Sequence, residues 1–179
     1  MENIPFEAFP KMARLSREII VTEKIDGTNA QIYIGDDGQF LVGSRKRWIT
    51  PEQDNFGFAK WAYENEECLR ELGPGRHFGE WWGSGIQRRY GIDGKRFSLF
   101  NVSRWSEQRP ECCEVVPTLY RGEFSQLAIN EALTRLEFDG SVAAPGFMKP
   151  EGVIVYHVAA GIGFKKTIEK DHLPKALAA

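Results

Sequence analysis

Residues favouring extended structure dominate Glu18 to Lys24 and again Asn29 to Ile34, and Asp36-Asp37-Gly38 before Phe40 is a hairpin turn signal. The chain is therefore predicted to open as an antiparallel meander. Asn55 is placed to cap a helix running to about Leu72, with Phe58, Ala62, Leu69 and Leu72 on one face and Gly73-Pro74 ending it. Strands are expected at Arg76 to Trp82, Arg96 to Ser103 and Glu114 to Tyr120. The basic, glycine-rich stretch Gly83 to Gly94 reads as a loop outside the core. Phe124, Leu127, Ala128, Ala132, Leu133 and Leu136 recur at helical spacing within Glu123 to Glu137, ahead of two final strands near Gly152 to Ala159 and Ile162 to Ile168. Strands grouped with strands and two inserted helices make the fold class α+β, with antiparallel sheets and flanking helices.

Composition narrows the function without naming it. The 179 residues suit one domain, and 42% hydrophobic and 12% aromatic content exclude a disordered chain. With 23 basic and 25 acidic residues the net charge is −2, so a polyanionic partner has to meet a local basic patch. Cys68, Cys112 and Cys113 are odd in number and lack metal-binding spacing, which predicts neither a disulfide framework nor a zinc site and suits a reducing cytoplasm. Met1 to Pro10 hold Glu2, Pro5 and Glu7 and no long apolar run, so neither a signal peptide nor membrane association is expected. His77, His157 and His172 have no ligand spacing and read as structural or exposed. The five tryptophans read as core and pocket walls rather than base-stacking platforms.

The chemistry concentrates in Glu23-Lys24-Ile25-Asp26-Gly27-Thr28-Asn29, where a lysine at a strand end runs into a tight glycine turn. Alone, this is an ordinary hairpin lysine. It is followed in order by Phe78-Gly79-Glu80-Trp81-Trp82-Gly83, Phe97-Ser98-Leu99-Phe100-Asn101-Val102, Glu151-Gly152-Val153-Ile154-Val155 and Gly163-Phe164-Lys165-Lys166-Thr167. The series resembles the covalent nucleotidyltransferases that include polynucleotide ligases and capping enzymes, and most closely the ATP-dependent RNA ligase family, over about Glu23 to Ile168.

That resemblance implies a ligase-type adenylation domain spanning 1–179, without an OB domain, since only a short tail follows Ile168. It implies ATP and Mg²⁺ or Mn²⁺ as cofactors, and Lys24 as the nucleophile that takes AMP. A free lysine, with a pKa near ~10.4, must lose its proton to attack, helped by burial or nearby cations such as Lys165. Glu151 is implied as the catalytic acid that supports the metal, and Glu80 as the residue holding the ribose. Phe100 is implied to stack on adenine, although strand alternation sets Phe97 and Phe100 on opposite faces and only one can serve. Glu23, Ile25, Thr28, Asn29 and Arg45 complete the nucleotide contacts.

Two departures stand out. Asn101 occupies a place where relatives often carry Asp. Lys165 and Lys166 are adjacent where relatives show Lys-x-Lys, so Lys166 joins the site only if a bulge turns both inward. Arg88, Arg89, Lys95 and Arg96 make a second basic region beside Tyr90 that suits a nucleic-acid backbone. The implied partners are RNA ends or a nicked duplex carrying a 5′-phosphate and a 3′-hydroxyl, and a protein standing in for a missing C-terminal domain. DNA nick joining, guanylyl transfer and a non-catalytic RNA- or nucleotide-binding module are the competing readings.

Overall fold

A computed structural model describes residues 4–172; the end of the tail, beyond 172, lies outside them. Among the described residues there are nine strands and three α-helices. In chain order they are β1 (Glu18–Lys24), β2 (Thr28–Ile34), β3 (Phe40–Ser44), α1 (Phe58–Glu64), α2 (Glu66–Leu69), β4 (Gly75–Gly83) and β5 (Lys95–Leu99). Then follow β6 (Glu114–Val115), β7 (Thr118–Glu123), α3 (Gln126–Asp139), β8 (Gly152–His157) and β9 (Ile162–Thr167). One sheet has the order β7-β1-β8-β9 and the other β3-β2-β4-β5-β6, antiparallel throughout except for the β5–β6 pair. The mixed α+β architecture expected from the pattern is present.

Each sheet covers one face with helix. Ile19 and Val21 of β1 and Val153 and Val155 of β8 pack on Ile129, Ala132 and Leu136 of α3. Ala30, Ile32 and Ile34 of β2 and Trp81 and Phe97 pack on Phe58, Ala59, Ala62 and Leu69 of the helical segment. Strand alternation then turns the opposite faces of both sheets toward each other across a cleft. A third cluster, Ile25, Trp82, Tyr90, Val116 and Ala144, closes the cleft at one end.

Several elements differ from their predicted form for local reasons. The expected helix from Asn55 to Leu72 is broken at Asn65, whose side-chain amide donates back to the Trp61 carbonyl at 2.8 Å and competes with the backbone ladder. Its start is held by the Asp54 carboxylate, which accepts from the Ala59 and Lys60 amides at 2.7 and 3.0 Å, whereas Asn55 donates to Thr28. The strand expected to reach Ser103 stops at Leu99, because Asn101 starts a turn in which its side-chain oxygen accepts from the Arg104 amide at 3.1 Å. The strand expected over Glu114 to Tyr120 is two strands in different sheets, divided at Val116-Pro117. On α3 the buried positions are Ile129, Ala132 and Leu136, and Leu127 is exposed.

Two expectations are corrected outright. The loop between Gly83 and Gly94 does enter the core, with Ile86 and Tyr90 fully buried. The cysteines do pair, since Cys68 of α2 and Cys112 form a disulfide with Cα atoms 6.4 Å apart, leaving Cys113 free and buried with its thiol pushed up to about 12 by burial. Protein unfolded without reductant should take up one alkyl group rather than three, read by mass spectrometry. Reduction should cost about 4 kcal/mol of stability for a closed loop of this length, read as a lower urea midpoint; three alkylations would contradict it.

Candidate nucleotide site

Chain geometry puts Lys24 in the cleft. Along β1, Ile19, Val21 and Glu23 face α3, so Ile20, Thr22 and Lys24 face the opposite way, and Lys24 is the last residue before the chain leaves for the other sheet. The passage takes only Ile25, Asp26 and Gly27. It is pressed so closely on β4 that a Cβ on Gly27 would collide with the Trp81 carbonyl oxygen and stand 2.7 Å from the Trp82 Cβ. The resulting cleft, about 1170 Å³, is lined from both sheets.

At its floor the Lys24 ammonium is ion-paired and hydrogen-bonded to the Glu151 carboxylate, both side chains about four-fifths shielded from solvent. Glu151 immediately precedes β8, whose Gly152 pairs with Lys24. Gly152 adopts φ +151°, and a Cβ there would run into the Lys166 carbonyl, so the position next to the acid demands glycine. Opposite, Glu80 of β4 is 8% exposed and accepts hydrogen bonds from the Gly27 amide at 3.1 Å and the Asn29 side chain at 3.2 Å. Burial pushes its carboxyl up to about 7 against the opposing pull of Lys24 and the Gly27 amide, with Glu151 and Asp26 adding to the rise.

Asp26 is fixed from the loop side. Its amide donates to the Tyr90 hydroxyl at 2.7 Å, and its carboxylate takes Arg88 at 3.1 Å, while Arg88 also donates to the Lys149 carbonyl. Tyr90, its own ionisation pushed up by burial, packs against Trp82. The basic stretch considered for nucleic acid is thus partly spent on structure. Lys95 donates to the Phe56 carbonyl, and Arg96 lies over the Trp82 ring.

The structure brings Lys24, Ile25, Thr28, Asn29, Arg45, Glu80, Phe100, Glu151 and Lys165 to the walls of the one cleft. Phe97 is fully buried in the helix-side core, while Phe100, just past the end of β5, is 41% exposed in the cleft. Two candidates are not placed as expected. Glu23 is 1% exposed on the α3 side, and its carboxylate accepts from Ser141 Oγ at 2.5 Å and from the Val142 and Ala143 amides at 2.8 and 2.9 Å, so only its backbone borders the cleft. Lys166 pairs with Val153, a core residue beneath α3, in a register that runs unbroken from Gly152–Thr167 to His157–Ile162. With no bulge, Lys165 and Thr167 share the cleft face and Lys166 points away. Sequence reasoning passed over Asp26, Tyr90 and Arg88 as a bracing set. The adjacency of Asp26 to Gly27 was its only signal.

Among the described residues no group of three or more His, Cys, Asp or Glu side chains gathers to hold a metal. His77 and His157 are tied to the Gly73 and Leu15 carbonyls and His172 is exposed. No helix among these residues is long and apolar enough to cross a membrane.

The family model for RNA ligase matches residues 17–170. The chain belongs to the RNA ligase family. The two-sheet fold is also that of solved RNA ligases from Naegleria gruberi. A glutamate-to-alanine variant with AMP and manganese superposes with a TM-score of 0.65 at 22% identity, covering 86% of this chain and 50% of that one. The enzyme with pyrophosphate gives 0.64 at 23% identity over 85% and 50%. A lysine-to-alanine variant with ATP and manganese gives 0.64 at 22% over the same shares. The chain therefore spans about half the length of these RNA ligases. No curated protein matches its sequence.

Two outcomes follow from the geometry. Folded Glu80 keeps its proton up to about pH 7 while an unfolded glutamate loses it near 4.5, so the unfolded state binds fewer protons in that window and stability falls as pH rises through it. Glu80→Gln should flatten that fall, worth up to about 3 kcal/mol, in melting curves from about pH 5 to about 8. Gly27→Ala should destabilise by about 1–3 kcal/mol through the clash with β4, and an unchanged melting temperature would refute the close approach.

Proposed function

We propose that this chain is an ATP-dependent RNA ligase that works through a lysyl-adenylate. The observation that carries the reading is the contact of Lys24 with Glu151 at the floor of a cleft whose other wall holds Glu80 and Phe100. Family membership and the RNA ligases of the same fold, recorded with ATP, AMP, pyrophosphate and manganese, support it. Residues 1–179 act on this reading as one adenylyltransferase unit.

Adenine stacks on Phe100, with Ile154 on the facing sheet, and Glu80 and Asn29 receive the ribose hydroxyls. Protonated Glu80 can donate as well as accept, which suits a hydroxyl pair. A lysine attacks only as the free amine, and Glu151, touching Nζ, is placed to take its proton. The Nζ–Pα bond forms as the bond from Pα to the bridging oxygen breaks, and pyrophosphate leaves with the electron pair. Lys165, with no side-chain partner among the described residues, faces the cleft to meet the α-phosphate, and Arg45 stands at the rim for an end phosphate.

A divalent ion that keeps several waters and binds phosphates needs only one or two carboxylates, a demand Glu151 meets without a larger acidic cage. Glu151 would hold Mg²⁺ or Mn²⁺ there, which would supply positive charge against the triphosphate. In the later steps a 5′-phosphate oxygen of RNA displaces Lys24 from the AMP. A 3′-hydroxyl then attacks that 5′-phosphate, forming the phosphodiester and releasing AMP.

Incubation with α-phosphate-labelled ATP and a divalent metal should leave covalent label on a denaturing gel, and labelled GTP should not. Lys24→Ala should abolish the label and Glu151→Ala should slow it by about a hundredfold or more, the loss expected when a proton acceptor is removed. Label on Lys24→Ala would overturn the nucleophile. A charged enzyme that seals a DNA nick and ignores 5′-phosphorylated RNA would overturn the substrate.

A further inference from the structure

The cleft does not end at the nucleotide site. Beyond Glu80, β4 continues with Phe78 and Arg76 on the same face, and their partners on β2 are Gln31 and Tyr33. The Phe100 amide donates to the Phe78 carbonyl at 2.9 Å, so Phe78 is the cross-strand neighbour of the residue assigned to adenine. Phe78 is 51% exposed, which is unusual for a large apolar side chain in the interior of a sheet.

One step further out, the Arg76 guanidinium lies 5.0 Å from the Tyr33 ring and 5.3 Å from that of Trp48, which is itself 43% exposed. This departs from the expectation that every tryptophan serves the core or a pocket wall. Neither Arg76 nor Arg45 forms an ion pair with a described residue. The strip thus presents exposed π-faces and unneutralised guanidinium groups, continuous with the nucleotide cleft.

We infer that the outer reach of this cleft face of the five-stranded sheet is a track for an unpaired RNA strand, bases stacking on Phe78 and Trp48 and phosphates meeting Arg76 and Arg45. The choice of RNA rests on the function proposed above. Charge complementarity selects a polyanion, and open aromatic faces select one with free bases, because a paired base offers its faces to its neighbours in the helix. A smooth duplex would use the arginines and leave both aromatic rings idle.

The test is fluorescence anisotropy with a labelled, unstructured 12-nucleotide RNA carrying a 5′-phosphate, on the unaltered chain and on Phe78→Leu, Trp48→Ala and Arg76→Gln. Each variant is first shown to melt like the parent, and Phe78→Leu keeps apolar bulk should Trp48→Ala misfold. Binding should weaken about tenfold for each lost stacking surface. The slope of log affinity against log salt should fall by about 0.7 for Arg76→Gln. A blunt RNA duplex of equal length should compete poorly.

Variants that bind within about twofold of the parent with an unchanged salt slope, or a duplex that competes equally, would overturn the track. Lysyl-adenylate formation by the unaltered chain is scored separately. Its absence counts against the proposed function and leaves the binding comparison intact, whereas normal adenylate with indifferent variants counts against the track alone.

Discussion

The double crossing between the sheets sets the position of everything else. The chain passes from the first sheet to the second at Ile25–Gly27 and returns at Val116-Pro117, and the two crossings are joined where the Glu23 amide donates to the Pro117 carbonyl at 2.9 Å. Pro117 brings a carbonyl acceptor but no amide donor to this junction, and that acceptor is satisfied by the neighbouring crossing. Ile25, Val116, Trp82 and Tyr90 seal this junction from water. Lys24 and Glu80 consequently stand on different sheets yet line the same cleft, near enough for the ammonium to pull on the Glu80 carboxyl.

Three buried or half-buried acids near that junction have separate fates because their partners differ. Glu23 accepts two amides and a hydroxyl from the segment after α3, which satisfies a charge far from solvent. Glu151 has the ammonium of Lys24. Glu80 has the Gly27 amide, the Asn29 carboxamide and the more distant pull of Lys24, and burial wins over them. One carboxylate locks a loop, one is charged against a lysine, and one is held partly neutral at ordinary pH. Carboxyl groups of the same chemistry thus do three kinds of work.

What was legible in the sequence was local. Strand and turn patterns located β1, β2, β4, β8 and β9 closely, and the glycine turn after Lys24 marked the site. What was hidden was long-range. Glu23 looked like a nucleotide contact because its partners lie 118 to 120 residues away. Cys68 and Cys112 looked unpaired because three cysteines are odd in number and show no motif spacing, and only the fold brings together these two, 44 residues apart. The orientation of Lys166 depended on whether β9 was bulged, which only its register with β8 decides. Tyr90 sits in a stretch whose glycines and charges signalled solvent, and it was tertiary packing against Trp82 and Phe147 that made it core.

The disposition of the junction also has a mechanical meaning. The sheets are bound to each other along one edge, through the crossings and the cluster around Trp82, and face each other as open leaves elsewhere. A small rotation of one leaf about that spine barely alters the span at Lys24, which lies beside it. The same rotation moves Tyr33, Arg76 and Trp48 through a longer arc. The reaction centre therefore sits beside the pivot and the aromatic rim at the far end of the leaf, a lever arm whose fulcrum is the two passages of its own backbone.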